Sequence, residues 1–172
     1  MAMAGLFIDM FGLEFLSGTS TYSGSGVTFN YPNGYSITEV NDNSTFLMGE
    51  NTKNPNLTFQ ISRSPVNGSY YNGTNLDEYA QSFENDVKSH GWIVMLADNT
   101  TRHIDKSTDL VQAYSIYYEE KLLSEADPSS VNGHVMIFDK NGTRYTINFV
   151  GKGKEATDRW ASIIVMSSFK VM

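Results

Sequence analysis

Between Gly26 and Arg63 apolar and polar residues trade places almost step by step. Val27, Phe29 and Tyr31 share one side of VTFNY. Tyr35 and Ile37, with Glu39 continuing the row, share one side of YSITEV, and Leu57, Phe59 and Ile61 alternate with Thr58, Gln60 and Ser62 in NLTFQISR. A period of two marks a strand with one face in a core. With STFLMG between them, these runs predict an antiparallel meander. Its first hairpin is expected at Pro32-Asn33-Gly34, Asn33 and Gly34 supplying positive φ, and SPVNGSYYNGT is read as the loop that ends it.

The period then changes. Leu76, Tyr79, Ala80, Phe83 and Val87 recur at helical spacing through NLDEYAQSFENDVKSHG, which predicts a helix with one buried side. Asn75 and Glu78 suit a capping box at its start, and Lys88, His90 and Gly91 suit its end. Four strands are expected next: WIVMLAD as a buried one, DLVQAYSIYYEE with Leu110, Gln112, Tyr114, Ile116 and Tyr118 on one face, and GHVMIFD leading through KNGT into RYTINFVG. Asn-Gly between two alternating runs is the strongest short-range hairpin signal. KEATDRWASIIVMSSFKV predicts a closing amphipathic helix with Ala156, Trp160, Ile163, Ile164 and Phe169 on its inner side.

Strands, helix, strands, helix is the order of an α+β fold, a central antiparallel β-sheet flanked by helices. The 172 residues divide into an apolar segment with a flexible Ser/Gly linker, residues 1–25, and one domain, residues 26–172. The first sixteen residues are interrupted by Asp9 and Glu14 and lack a basic start. They therefore suit neither a bilayer-spanning helix nor a signal peptide. Met3, Phe7, Met10, Phe11 and Phe15 make one sticky side. Three readings stand: an expression remnant joined to a trimmed juxtamembrane piece, a helix that packs on the domain or a partner, or an interfacial anchor.

FNYPNGYSI resembles the F-x-Y-P-x-x-W/Y opening of PsbP-related domains. The resemblance continues through LDEYAQSFENDV, YTINFVGKGKEATDRW and ASIIVMSSFKV, and covers residues 26–172. Tyr35 stands where that family commonly has Trp. The resemblance implies an αβα sandwich, shared by PsbP, an extrinsic subunit of photosystem II, and by a Ran-binding nuclear transport factor. It points to a prokaryotic or archaeal member, exported or membrane-tethered, acting as a binding or stabilising module rather than as an enzyme. Fold alone does not hand over a function.

Net charge −7 and scattered basic residues argue against a nucleic-acid or anionic-membrane surface. Membrane contact is expected only through an N-terminal anchor. There is no cysteine, so no disulfide or thiolate metal site exists. Asn-x-Ser/Thr sequons occur at Asn43, Asn56, Asn67, Asn72, Asn99 and Asn141. Composition alone gives about three, and the excess favours an exported, glycosylated chain.

Candidate chemistry is sparse. The histidines are His90, His103 and His134, and no Gly-x-Ser-x-Gly elbow accompanies them. His90 reads as a helix-end residue, and His134 as a half-exposed strand residue. In TRHID, His103 and Asp105 lie two apart and would share a side of an extended segment, a pattern suited to a divalent cation. A solvated loop accounts for the same residues. GKGK at 151–154 lacks the full phosphate-loop spacing and reads as a strand-to-helix turn. Tyr70, Tyr71, Tyr117 and Tyr118, with Tyr114, suit a partner surface, because tyrosine joins contact area to a polar tip. The expectation is a non-enzymatic extracytoplasmic module, without cofactor, that engages a protein or cell-envelope component by its sheet edge or tyrosine loops. The alternative is a small-ligand or divalent-metal sensor.

Overall fold

The computed structural model describes residues 18–42, 44–66, 75–102, 111–120, 131–152 and 158–172. Among the described residues, ten strands and two helices run in the order β1 (Thr19–Gly24), β2 (Val27–Pro32), β3 (Tyr35–Asp42), β4 (Thr45–Asn51), β5 (Leu57–Pro65), α1 (Leu76–Ser89), β6 (Trp92–Arg102), β7 (Val111–Glu120), β8 (Val131–Lys140), β9 (Thr143–Lys152), α2 (Arg159–Ser168) and β10 (Lys170–Val171). They form two antiparallel sheets. One has three strands in the order β1-β2-β10; the other has seven, β3-β4-β5-β9-β8-β7-β6.

Each face of the large sheet has its own core, and strand alternation assigns residues to it. On β8, Val135 and Ile137 join Leu76, Tyr79, Ala80, Phe83 and Val87 of α1 on one face. Met136 and Phe138 meet Val27 and Phe29 of β2 and Ala161, Val165 and Met166 of α2 on the other. The chain is therefore α+β and layered as expected, but one outer layer is mixed: a small sheet and a helix share it. Phe29 joins the layers, stacking on Phe169 at 5.9 Å and meeting Phe59 edge-on at 6.2 Å.

Helix α1 is capped as its sequence predicts, with Asn75 Oδ1 accepting from the Glu78 amide at 2.8 Å. The KNGT turn also follows its sequence: Asn141 and Gly142 have φ of 52° and 73°, the two positive angles of a type I′ hairpin.

Four expectations change. Thr19–Gly24, read as linker, is strand β1, paired with β2 through a turn whose positive φ values fall at Ser25 (50°) and Gly26 (81°). Pro32-Asn33-Gly34 is not a hairpin, because β2 and β3 belong to different sheets. The chain changes layer there, and Thr52 donates both its amide and its hydroxyl to Gly34 O, at 2.8 and 3.0 Å. Strand β6 lies at the edge of the large sheet rather than inside it. Helix α2 buries Ala161, Ser162, Val165 and Met166 while Trp160 and Ile163 point outward. Asp158 sets that phase: its Oδ1 accepts from the Ala161 amide at 2.9 Å and its Oδ2 from Tyr35 Oη at 3.0 Å.

Candidate binding surfaces

Buried polar residues come first, because they are where chemistry would lie. His134 is 3% exposed, against a half-exposed expectation. Its Nε2 lies 2.8 Å from Ser115 Oγ and its Nδ1 2.8 Å from Ser162 Oγ. Ser162 donates its hydroxyl proton to Arg159 O at 2.9 Å, so it accepts from Nδ1–H, and Nε2 accepts from Ser115. A serine donating to an oriented histidine is the hydrogen-bond pattern of a nucleophile and its base. Here, however, Ser115, His134 and Ser162 are all buried, and Tyr117 stacks on the imidazole at 3.8 Å. The relay ties α2 to the sheet, with Arg159 lying over the outer face of Tyr117 at 5.3 Å. Nothing in the local sequence signals it, since its members come from β7, β8 and α2.

A buried charge serves packing. Arg144, 1% exposed, grips Asp139 with two 2.7 Å bonds and lies over the Tyr79 ring at 4.3 Å. It fixes the start of β9 against α1. Burial raises the Tyr79 pKa above its usual value.

The first surface with binding geometry is the β6 edge. Among the described residues no strand pairs with the outer side of β6. The strand is eleven residues long, WIVMLADNTTR, with neither proline nor lysine to blunt it. Trp92 stacks on Tyr118 at 5.5 Å and 3°, which anchors the start of the strand on the α1 core. Ile93, on the other face, is 45% exposed. The pairing shifts register between Val94 and Leu96. Further along, Asn99 Nδ2 donates to Tyr114 Oη at 3.3 Å, and Tyr114 donates to Asp77 at 2.6 Å. The hydrogen bond to Asp77, then desolvation, pushes the Tyr114 pKa up to about 12.

The second surface is a groove of about 400 Å³ between α2 and the start of the small sheet, walled by Trp160 and Ile164 on one side and by Gly18 and Pro32 on the other. Its floor is pinned where the Asn30 amide donates to Ser168 Oγ at 2.8 Å.

No protein-family model and no curated protein matches the chain. Solved structures do. The solution structure of cyanobacterial PsbP (CyanoP) from Synechocystis sp. PCC 6803 aligns with a TM-score of 0.59 at 17% identity, covering 91% of this chain and 94% of that one. The fold is PsbP-like. A Bacteroides thetaiotaomicron crystal structure aligns with a TM-score of 0.49 at 14% identity over 90% of this chain and 48% of that one.

Within this PsbP-like frame the sequence-predicted residues scatter. Tyr118 is core, not surface: it is 4% exposed, and its hydroxyl donates to Asn148 Oδ1 at 3.1 Å. Tyr117 is half-buried under Arg159, and Tyr70 and Tyr71 lie outside the described residues. His103 and Asp105 lie outside them too, and no group of three His, Asp or Glu side chains that would hold a metal occurs among the described residues. Asn56, Asn99 and Asn141 are exposed; Asn43, Asn67 and Asn72 fall outside the description. No described helix is long and apolar enough to cross a membrane. The sequence named a sheet edge without saying which strand forms it, and it did not foresee the groove, because each is made by sheet order rather than by a motif.

Proposed function

We propose that this PsbP-like domain is a non-enzymatic, extracytoplasmic binding module that takes an extended segment of a partner protein along β6. The observation that carries this is the eleven-residue edge without proline or lysine, with Ile93 exposed on one face and Trp92 stacked on Tyr118 on the other. An added strand would gain main-chain hydrogen bonds along such an edge and side-chain specificity at alternate positions. The excess of sequons, and the exposure of the three described ones, support export.

The test is crosslinking in the native host, followed by mass spectrometry of what the tagged full chain retains from the envelope fraction. The wild type should hold one stoichiometric protein, and Ile93→Lys should lose it. Met48→Lys, placed on β4 at an exposed site away from this edge, should keep it. Equal capture by all three proteins, or none by any, refutes edge recognition.

A further inference from the structure

We infer that Asn141–Gly142, at the tip of the β8–β9 hairpin, is a site of spontaneous deamidation, and that the fold holds the same dipeptide unreactive at Asn33–Gly34 and Asn132–Gly133. The chain has five Asn-Gly pairs, and the two at Asn67 and Asn72 lie outside the described residues. In the reaction the glycine nitrogen attacks the side-chain carbonyl carbon of the asparagine. A C–N bond closes a succinimide ring, the attacking nitrogen gives up its proton, and the side-chain nitrogen leaves as ammonia. Water, the one co-reactant, then opens the ring at either carbonyl and leaves aspartate or isoaspartate. The rate turns on how readily the glycine nitrogen swings onto that carbon, a near-attack geometry.

At Asn141 the swing is open. The residue is exposed, and its side-chain amide is hydrogen-bonded to no described residue. Lys140 and Thr143 close the ladder, so the Asn141 and Gly142 nitrogens fall outside it. Gly142 is exposed, and a Cβ placed on it would meet nothing within 4 Å. The hold on this residue is at its far side, where its carbonyl accepts from the Val66 amide at 3.0 Å.

The other two described pairs are fastened. Strand β8 has a neighbour on each side, Asn132 pairs with Glu119 and Gly151, and the Tyr118 ring lies over Gly133. The nitrogen of Gly133 is thus held inside an interior ladder. At the crossing between sheets, Asn33 Oδ1 accepts from Ser20 Oγ at 2.6 Å and the Asn33 amide donates to Gly18 O at 3.3 Å. Thr52 grips Gly34 O with its amide and its hydroxyl. Ring closure there has to break contacts on both sides of the crossing.

The position gives the reaction a consequence. Isoaspartate runs the main chain through the side-chain carbon, which lengthens a two-residue turn whose length sets the hairpin register. The Lys140–Thr143 pair, the Asp139–Arg144 pair behind it and the Val66 bond to Gly142 O are the first to feel the change. Asn141 also heads a sequon, and a glycan would sit on the nitrogen that has to leave. Glycosylation and deamidation therefore compete for one atom.

The test is peptide mapping by mass spectrometry of the full chain, made in a bacterial host that adds no glycan and aged in warm, mildly alkaline heavy-oxygen water. In the folded chain the Asn141 peptide should take up one heavy oxygen severalfold faster than the peptides holding Asn33 and Asn132, as a mixture of aspartate and isoaspartate. In guanidinium chloride the three rates should converge. Conversion at Asn141 no faster than at Asn56, which Leu57 follows, overturns the inference, and so does a folded chain in which Asn33 or Asn132 keeps pace. Aspartate as the sole product overturns the ring route. If the folded ranking persists in denaturant, the fold is not its cause and the inference falls.

Discussion

Tyr118 lies across the backbone of Gly133, its registered partner on β8, so closely that a Cβ on Gly133 would sit 2.2 Å from the ring. Phe59 covers Gly49 in the same way on the opposite face of the sheet, at 2.1 Å. In both pairs the glycine is what lets a large ring lie flat and be buried. Gly133→Ala and Gly49→Ala should each destabilise the fold by about 1–3 kcal/mol or more, the usual cost of overpacking. Urea unfolding followed by far-ultraviolet circular dichroism measures it. Unchanged midpoints would mean that the rings have room to tilt.

Removing the acid from the Arg144–Asp139 pair strands a buried guanidinium over Tyr79. Asp139→Ala should cost about 3 kcal/mol, the lower end for breaking a buried ion pair, because Asp139 itself is partly exposed. Adding Arg144→Met should recover much of the loss, and the double-mutant cycle gives the coupling. Additive losses would show that the pair is not a unit.

Ser162→Ala leaves His134 Nδ1 without its acceptor in a dry site. The expected loss is about 1–3 kcal/mol, the cost of an orphaned buried polar group. The imidazole's ¹⁵N shifts should change at the same time, because Ser162 holds its tautomer.

Tyr114 makes alkaline stability measurable. In the unfolded chain a tyrosine ionises near pH 10; in the fold Tyr114 is pushed up to about 12, first by its bond to Asp77. The unfolded state therefore loses its proton first. The stabilisation from this group is whole below pH 10 and falls away as pH rises towards 12. Tyr22, Tyr79, Tyr118 and Tyr145 are raised too, mainly by burial, so Tyr114→Phe should flatten only part of the decline in unfolding midpoint between pH 10 and 12. A slope identical to wild type would show that the Asp77 bond does not persist in solution.

Glycan mapping of the chain expressed through a eukaryotic secretory route separates the three described sequons. Asn56, in the β4–β5 turn, and Asn141, in the β8–β9 turn, are exposed at opposite ends of β9. Asn99 is held in a strand with its amide nitrogen engaged by Tyr114. Peptide mass spectrometry should find Asn56 and Asn141 occupied well above Asn99.

What the sequence disclosed depended on how many sides an element buries. The Phe59 row of β5 and the Phe83 face of α1 were legible because each meets a core on one side and water on the other. Helix α2 was misphased because Trp160 and Ile163 are as apolar as Val165 and Met166; only the cap at Asp158 chooses between the two faces. Strand β1 was hidden by its Ser/Gly composition, although Tyr22 packs on Phe29 at 5.2 Å and donates to Glu39 at 2.5 Å. Pro-Asn-Gly announced a turn correctly but not that the turn leads into another sheet. The His134 relay and the groove draw on residues far apart in the chain, a kind of proximity that no local pattern encodes.

Strand β10 has only two residues, yet Lys170 and Val171 pair with Thr28 and Val27, and the Met172 amide donates to Gly26 O at 2.9 Å. The small sheet is thus assembled from opposite ends of the described chain, and Phe169 between α2 and β10 is the ring that Phe29 stacks upon. Such distant pairing is slow to close and gains nothing until the final residues arrive. During synthesis, α1 and the strands it covers can gather while the ribosome still holds the last turn of α2. The layer that carries the groove has to wait until Phe169 and β10 have emerged.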